Sequence, residues 1–317
     1  MPRFSVVVPA YNASPTIAET LEAVCSQHFL DWECVIVDDG SVDATAQIAE
    51  AYCERDGRFR LVRQQNKGTA GAYQAGVLCA TSDLLVICAA DDLLLPEHLQ
   101  SMDELARENP DHGIFSSNGE YLYQETGKRE TVYTSQEWQE GRSLSFEQVV
   151  KICFYSVGAV YRRWVFDLVG GYRLGVYSED YDFWLRAMAQ GVQQRYTPRI
   201  LSVHRVSGFQ LSANLVKVYE SNVEVYEHLL SDAPLQPEQR PFIDQAIART
   251  RGMIADQGLV AVQQAEQAVL ERQSLRLRQS VEHLVGTRRA DATMRVIHSV
   301  SWIVRPMRRV AGKWRSR

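Results

Sequence analysis

Residues 84–96, LLVICAADDLLLP, constrain the fold of this chain more than any other stretch. Leu84, Leu85, Val86, Ile87 and Cys88 form a short unbroken apolar run, which reads as a strand covered on both faces. The run ends in Ala89, Ala90, Asp91 and Asp92, and Pro96 opens a helical segment. Two adjacent carboxylates at the carboxyl end of a buried strand stand where open α/β sheets place ligands. Such a pair either holds a hard cation through oxygen or caps the following helix. Taken alone, capping is the commoner reading, and what else converges on the pair decides between them.

The chain before this stretch repeats its arrangement. Residues 4–8 are short and β-branched, as in a buried strand. After the turn at 9–12, Ser14 is the expected N-cap and Pro15 the first helical residue. Ile17, Leu21 and Val24 then carry a helix to about Gln27. A second strand, 32–37, ends in Asp38-Asp39-Gly40-Ser41, and a helix over 43–54 and a strand over 59–63 follow. Asn66-Lys67-Gly68 breaks the chain before a helix rich in Ala and Gly, 69–80, which leads into the Asp91 strand. Strands alternating with helices of this length predict βαβ units and a mainly parallel sheet. All strand ends then share one edge, so Tyr11-Asn12, Asp38–Ser41 and Asp91-Asp92 can meet around one ligand. The sequence has neither Gly-x-Gly-x-x-Gly nor Gly-x-x-x-x-Gly-Lys-Ser/Thr, so dinucleotide and NTPase readings lose support.

In this order the motifs resemble glycosyltransferase family 2, the inverting nucleotide-sugar transferases of GT-A fold. The resemblance rests on Val6-Val-Val-Pro-Ala-Tyr-Asn12, Asp38-Asp-Gly-Ser41, Asn66-Lys-Gly68 with Ala75-Gly76, Ala90-Asp-Asp92 and Ser178-Glu-Asp-Tyr-Asp-Phe-Trp184. It covers roughly the first two-thirds of the chain. It implies a nucleobase pocket lined by Pro9, Tyr11 and Asp39, with Tyr11 stacking and Asp39 accepting from a base N–H. Asn12, Asp38 and Gly40 belong to the same pocket, and Asn66, Lys67 and Gly68 lie near base and ribose. Asp91 and Asp92 approach the ribose and a divalent cation, Mn2+ or Mg2+. One position departs from the family: the aspartate common two residues before Asp91 is Ala89 here. That leaves open which of Asp91 and Asp92 ligates the metal.

The segment around Asp180 has two readings. By itself it is a helix start, with Ser178 as N-cap, acids in the first turn, and Phe183, Trp184, Leu185 and Met188 facing inward. The resemblance implies that Glu179-Asp180 occupies the place of the general base, Asp180 first and Glu179 second. An acceptor hydroxyl attacking the anomeric carbon opposite the departing diphosphate must lose its proton there, and a carboxylate can take it. A bound cation stabilises the leaving diphosphate. His204 and Arg205, after a strand over 200–203, stand where relatives carry basic residues that reach the diphosphate or metal, and a structural histidine is the alternative. Between the two carboxylate segments the pattern predicts strands over 114–118 and 120–123, a charged mobile loop over 124–142, a helix over 145–152 and a strand over 158–161.

Beyond Leu211, Val216, Tyr219, Val223, Tyr226 and Leu230 predict an amphipathic helix. Pro234, Pro237 and Pro241 mark a turn, and a long polar helix or helix pair continues to about Val285, for packing on the catalytic domain or for self-association. From Arg288 onward nine Lys/Arg face one acid, a net of +8; with −5 for the whole chain, residues 1–287 carry −13. Residues 294–317 set Val296, Ile297, Trp302, Ile303 and Trp314 beside Arg305, Arg308, Arg309, Lys313, Arg315 and Arg317. A solvated basic terminus is the plain reading, but the apolar face favours an interfacial anchor on an anionic membrane surface. The overall charge makes no case for nucleic acid. Six cysteines without a Cys-x-x-Cys pair read as buried thiols of a reducing compartment. No signal peptide and no apolar run of bilayer length are present, so the expected location is cytoplasmic, peripheral at the inner face of the membrane.

The expected organisation is a GT-A catalytic domain over 1–210, an α/β fold with a mainly parallel central sheet. Its nucleotide-sugar-binding half is 1–110 and its acceptor half 111–210. A helical extension follows over 211–290 and a basic amphipathic tail over 291–317. The expected activity is metal-dependent, inverting transfer from a UDP-linked sugar to a hydroxyl of a glycan or lipid-linked acceptor. Processive synthesis loses ground because no Gln-x-x-Arg-Trp follows Asp180. The rival is a noncatalytic sugar-nucleotide-binding or scaffold protein, with Ala89 as its only support.

Overall fold

The strand β1 (Phe4–Ala10) is buried along its whole length, because β2 (Trp32–Asp38) and β4 (Leu84–Ile87) flank it in parallel and helices cover both of its faces. Phe4, Val6 and Val8 pack with Ile17, Leu21 and Val24 of α1 (Ile17–Cys25) and with Ala49 and Tyr52 of α2 (Thr45–Arg55). Val7, on the other face, packs with Tyr73 and Val77 of α3 (Gly68–Cys79). Gly76 allows that close approach: a Cβ there would lie 2.2 Å from Val7 Cγ1. The structure is a computed structural model that describes residues 1–134, 138, 141–152, 156–206 and 214–257.

The sheet runs β3-β2-β1-β4-β9-β6-β10-β5, with β3 (Phe59–Arg63), β5 (Leu93–Leu94), β6 (Ile114–Tyr123), β9 (Val160–Arg162) and β10 (Gln194–Val206). Parallel pairings extend over four to ten residues, whereas antiparallel ones extend over two or three. The parallel strands dominate the sheet, and β9 enters antiparallel between β4 and β6. α4 (His98–Glu108), α5 (Phe146–Ile152), α6 (Arg163–Val169) and α7 (Glu179–Ala189) complete the α/β unit.

Several expectations are corrected. Helix α1 starts at Ile17, and Ser14 does not cap it; the Ala13 and Ser14 amides donate instead to Thr45 Oγ1 (2.8 Å) and Asp43 Oδ2 (3.1 Å). The two strands expected over 114–123 are one, β6. Gly119 continues it where the strand presses on β10, since a Cβ there would lie 2.9 Å from Ser202 Oγ. The expected loop over 124–142 contains β7 (Arg129–Thr131), which pairs with β6, and ends in β8 (Arg142–Leu144), which pairs with β10. Ser178 is at the N-cap position of α7, but its side chain makes no capping bond.

The first part of the expected helical extension is α8 (Leu215–Asp232), and residues 240–254 are also helical. Val225, Tyr226 and Leu229 of α8 join the core beside Tyr181 and Trp184 of α7. Met1–Ile254 form one compact unit. The expected remainder of the extension and the basic tail lie outside the described residues. Among the described residues no helix is long and apolar enough to cross a membrane.

Candidate active site

The carboxyl ends of β1, β2 and β3 are tied together by short polar side chains. Asn12 is the one non-glycine residue with positive φ (50°) among the described residues. Its N–H donates to Ser41 Oγ (2.9 Å) and its Oδ1 accepts from the Val42 N–H (3.0 Å). Asp38 Oδ1 accepts from the Ser41 N–H (3.1 Å), closing a turn in which Gly40 has φ 81°. A Cβ on Gly40 would also lie 3.0 Å from the Asn66 backbone nitrogen. Asp39 is buried, and its Oδ1 accepts from Gln64 Nε2 (2.7 Å) and from the Lys67 N–H (2.9 Å). Asp39 thereby brings Asn66-Lys67-Gly68 to the β2 loop. Pro9 lies in β1 opposite Val37, and Tyr11 leaves its end with 53% of its surface exposed.

Asp91 and Asp92 occupy the turn between β4 and β5, Asp91 half-buried and Asp92 only 5% exposed. Asp92 Oδ1 accepts from His204 Nδ1 (2.8 Å) and, at 3.4 Å, from the Arg205 N–H. This bond makes Nδ1–H the donor and the carboxylate the acceptor. Burial pushes the Asp92 pKa up, with His204 opposing. Burial would lower the His204 pKa, but Asp92, Asp91 and Asp180 together raise it. Adjacent residues of a strand point to opposite faces, so Arg205 turns away from His204. Its guanidinium is buried and paired with Glu19 of α1.

Asp180 lies in the first turn of α7, where its Oδ1 accepts from the Tyr181 N–H (2.7 Å). Burial raises its pKa against the pull of the helix-end amides, and burial plus the Asp180 charge raises that of Glu179. Asp92 and Asp180 line one cleft, together with Tyr73, Tyr161, Tyr181 and Trp184. Ala89, the departure noted above, lies on the same wall, whereas Glu179 is not among the lining residues. The third acid of this turn, Asp182, is fully buried on Arg186 (2.7 Å), which also donates to the carbonyls of Val169 and Gly171. That is a structural ion pair holding the preceding loop.

The structure thus groups Pro9, Tyr11, Asn12, Asp38, Asp39, Gly40, Asn66, Lys67 and Gly68 at one end of the parallel strands. It groups Asp92, Asp180 and, through Asp92, His204 at the cleft, where the Arg205 N–H also meets Asp92 while the Arg205 side chain turns to Glu19. Asp43, Gln64 and Tyr73 were missed. Asp43 alone carried a signal, two residues before Thr45 in an Asx-type pattern. Among the described residues no three His, Cys, Asp or Glu side chains are set to hold a metal. An adjacent carboxylate pair is nevertheless a suitable donor set for a hard cation that takes its other ligands from substrate phosphates and water.

Residues 5–168, just over half the chain, match the family model described as Glycosyl transferase family 2. Putative glycosyltransferase EpsH of Bacillus subtilis is 28% identical over 239 residues, covering 71% of this chain and 67% of that protein. Uncharacterized glycosyltransferase YibD of Escherichia coli is 26% identical over 212 residues, covering 63% and 60%. Among solved structures, S. aureus TarS 1-349 in complex with UDP-GlcNAc superposes with a TM-score of 0.63 at 18% identity, over 92% of this chain and 83% of that one. The mannosyltransferase PcManGT of Pyrobaculum calidifontis, in complex with GDP-Man and Mn2+, gives 0.61 at 18% over 95% and 81%. The structural likenesses establish the GT-A fold. With the family model and the curated relatives they lead to one conclusion: this glycosyltransferase belongs to glycosyl transferase family 2.

Proposed function

We propose that the protein transfers a sugar, with inversion and without processivity, from a UDP-linked donor to a hydroxyl of a glycan or lipid-linked acceptor, using Mn2+ or Mg2+. The observation that carries this reading is the cleft lined by both Asp92 and Asp180. Tyr11 stacks on the base. Asp39 Oδ1 already accepts two N–H groups, so Oδ2 remains for a single donor such as uracil N3–H. Asp91 and Asp92 would hold the cation, and the His204 bond to Asp92 opposes the rise in its pKa that burial causes. When bound, the cation supplies electrostatic stabilisation of the leaving diphosphate. Asp180 takes the acceptor hydroxyl proton as the acceptor oxygen bonds to the anomeric carbon and the bond to the diphosphate oxygen breaks. The raised pKa of Asp180 suits a base that must hold that proton. Residues 294–317, outside the described residues, would seat the enzyme on anionic lipid at the inner face of the cytoplasmic membrane, near a lipid-linked acceptor.

Donor hydrolysis and transfer, measured over a panel of nucleotide sugars with and without Mn2+, test the reading. UDP-sugars should be consumed only with the metal. Tight donor binding with no turnover on any acceptor or water would favour the noncatalytic alternative. Salt-reversible cosedimentation with anionic vesicles, lost on truncation after Asp291, tests the membrane part.

A further inference from the structure

Helix α1 and the residues that follow it turn polar groups toward the acidic turn and the segment after that turn. Thr20 has no exposed surface. Its Oγ1 lies 2.9 Å from the Ala90 carbonyl oxygen and 2.9 Å from that of Asp92. Just beyond the end of α1, Gln27 Nε2 donates to the carbonyls of Leu94 (3.3 Å) and Leu95 (2.8 Å). Gln27 Oε1 accepts from the Leu99 N–H (3.0 Å), and the His28 N–H donates to the Pro96 carbonyl (2.9 Å). Strand β5 offers the turn little support of its own, since it pairs only through Leu93 and Leu94. The helix that carries Thr20 is itself fixed by Ile17, Leu21 and Val24 in the core.

We propose that Thr20 is a positioning residue: its buried hydroxyl clamps the two carbonyls that bracket Asp91, so that Asp91 and Asp92 are presented to the cation in one fixed geometry. The proposal rests on the reading of Asp91 and Asp92 as cation ligands. The residue type fits the task. A hydroxyl in apolar surroundings needs a partner, and here one proton serves two carbonyl oxygens. Valine has the same shape but would leave both carbonyls without their shared donor. Partners that orient metal ligands from behind are typically worth about 10–100-fold in metal affinity.

Calorimetric titration of Mn2+ into the protein saturated with UDP, on full-length wild type, Thr20→Val and Thr20→Ser, tests the proposal without relying on turnover. Thr20→Val should bind Mn2+ about 10–100-fold more weakly, and Thr20→Ser, which restores the hydroxyl, should recover most of the loss. Binding of UDP in the absence of metal should be alike in all three. Equal Mn2+ affinity in wild type and Thr20→Val overturns the proposal. So does an equal loss in Thr20→Val and Thr20→Ser, or a parallel loss of metal-free UDP binding. Should Thr20→Val fail to fold, Thr20→Ala carries the same comparison. If the wild-type UDP complex takes up no Mn2+, the reading of the carboxylate pair fails first, a result distinct from the others.

Discussion

Around Asp39 the chain is held by main-chain amides donating to short side chains, whereas around Asp180 it is held by packed rings. On the donor side, Asn12, Asp39 and Asp43 each accept from an amide of a neighbouring loop, and Asp38 accepts from an amide of its own turn. On the acceptor side, Phe183 lies 4.5 Å from Phe166, 4.9 Å from Tyr172 and 5.3 Å from Tyr161, centroid to centroid, and Tyr172 stacks on Tyr73 at 5.1 Å. Hydrogen-bonded turns fix a local geometry from a few consecutive residues. A ring cluster fixes the direction of α7, and with it Asp180, only after distant segments have met. The donor loops are therefore tied to one another by a few polar bonds, and Asp180 is placed by the packing of rings around α7.

Asp180→Asn gives the largest expected effect. It should lower turnover by about two to four orders of magnitude while UDP-sugar affinity, set by the other group of loops, stays within about a factor of two of wild type. Single-turnover kinetics and donor titration separate the two. A variant that lost donor binding instead would break the division of the molecule into two sites. Phe183→Ala comes next, with a loss of about 3–5 kcal/mol in unfolding free energy, the usual range for removing a fully buried phenyl ring. Denaturant titration reads it. A loss under about 1 kcal/mol would show that rings do not hold the acceptor side.

The same contrast explains what was legible in the sequence. Phe4–Ala10 and Trp32–Asp38 were readable because a strand buried on both faces is a nearly continuous apolar run. The loops after them were readable as motifs because their bonding partners are short polar residues. Ser14 misled because the Thr16 and Ile17 amides, which a cap at Ser14 would serve, donate to the Ala13 carbonyl instead. Gly119 misled because its reason is Ser202 across the sheet. Arg205 differed from His204 only in strand parity, and the register of β10 with β6 contains two shifts that sequence alone does not show. Thr20 looked like any threonine of an amphipathic helix.

Where the halves meet, His98 of α4 is buried between the carbonyls of Gly158 (2.9 Å) and Leu201 (3.1 Å). Burial lowers its pKa to about 4 from 6.5, with the two carbonyls opposing. The unfolded chain takes up a proton below pH 6.5 that the folded protein refuses until about pH 4. The stability held above pH 6.5 is therefore lost progressively as pH falls to about 4, by ~3 kcal/mol at most. Unfolding free energies of wild type and His98→Gln should converge as the pH is lowered through this window. A pH-independent difference would mean that burial does not lower the His98 pKa.

Tyr11 should show the smallest effect and the sharpest contrast with Phe183. Its ring stands at the end of β1 with half its surface exposed, so it adds little to the core. Its neighbour Asn12 is pinned by Ser41 and Val42, so the loop keeps its shape when the ring is removed. Tyr11→Ala should leave the unfolding free energy within about 0.5 kcal/mol of wild type, as for other surface changes. A stacked aromatic pair contributes about 1 kcal/mol, which corresponds to about a fivefold weaker UDP affinity. Tyr11→Phe should bind UDP as wild type does, because stacking uses the ring and not the hydroxyl. Fluorescence or calorimetric titration with UDP measures all three proteins. Unchanged affinity in Tyr11→Ala would remove Tyr11 from the base pocket and leave Asp39 to read the nucleotide by hydrogen bonding alone. A loss in Tyr11→Phe as large as in Tyr11→Ala would move the contact from the ring face to the hydroxyl, and the donor side would then be polar throughout.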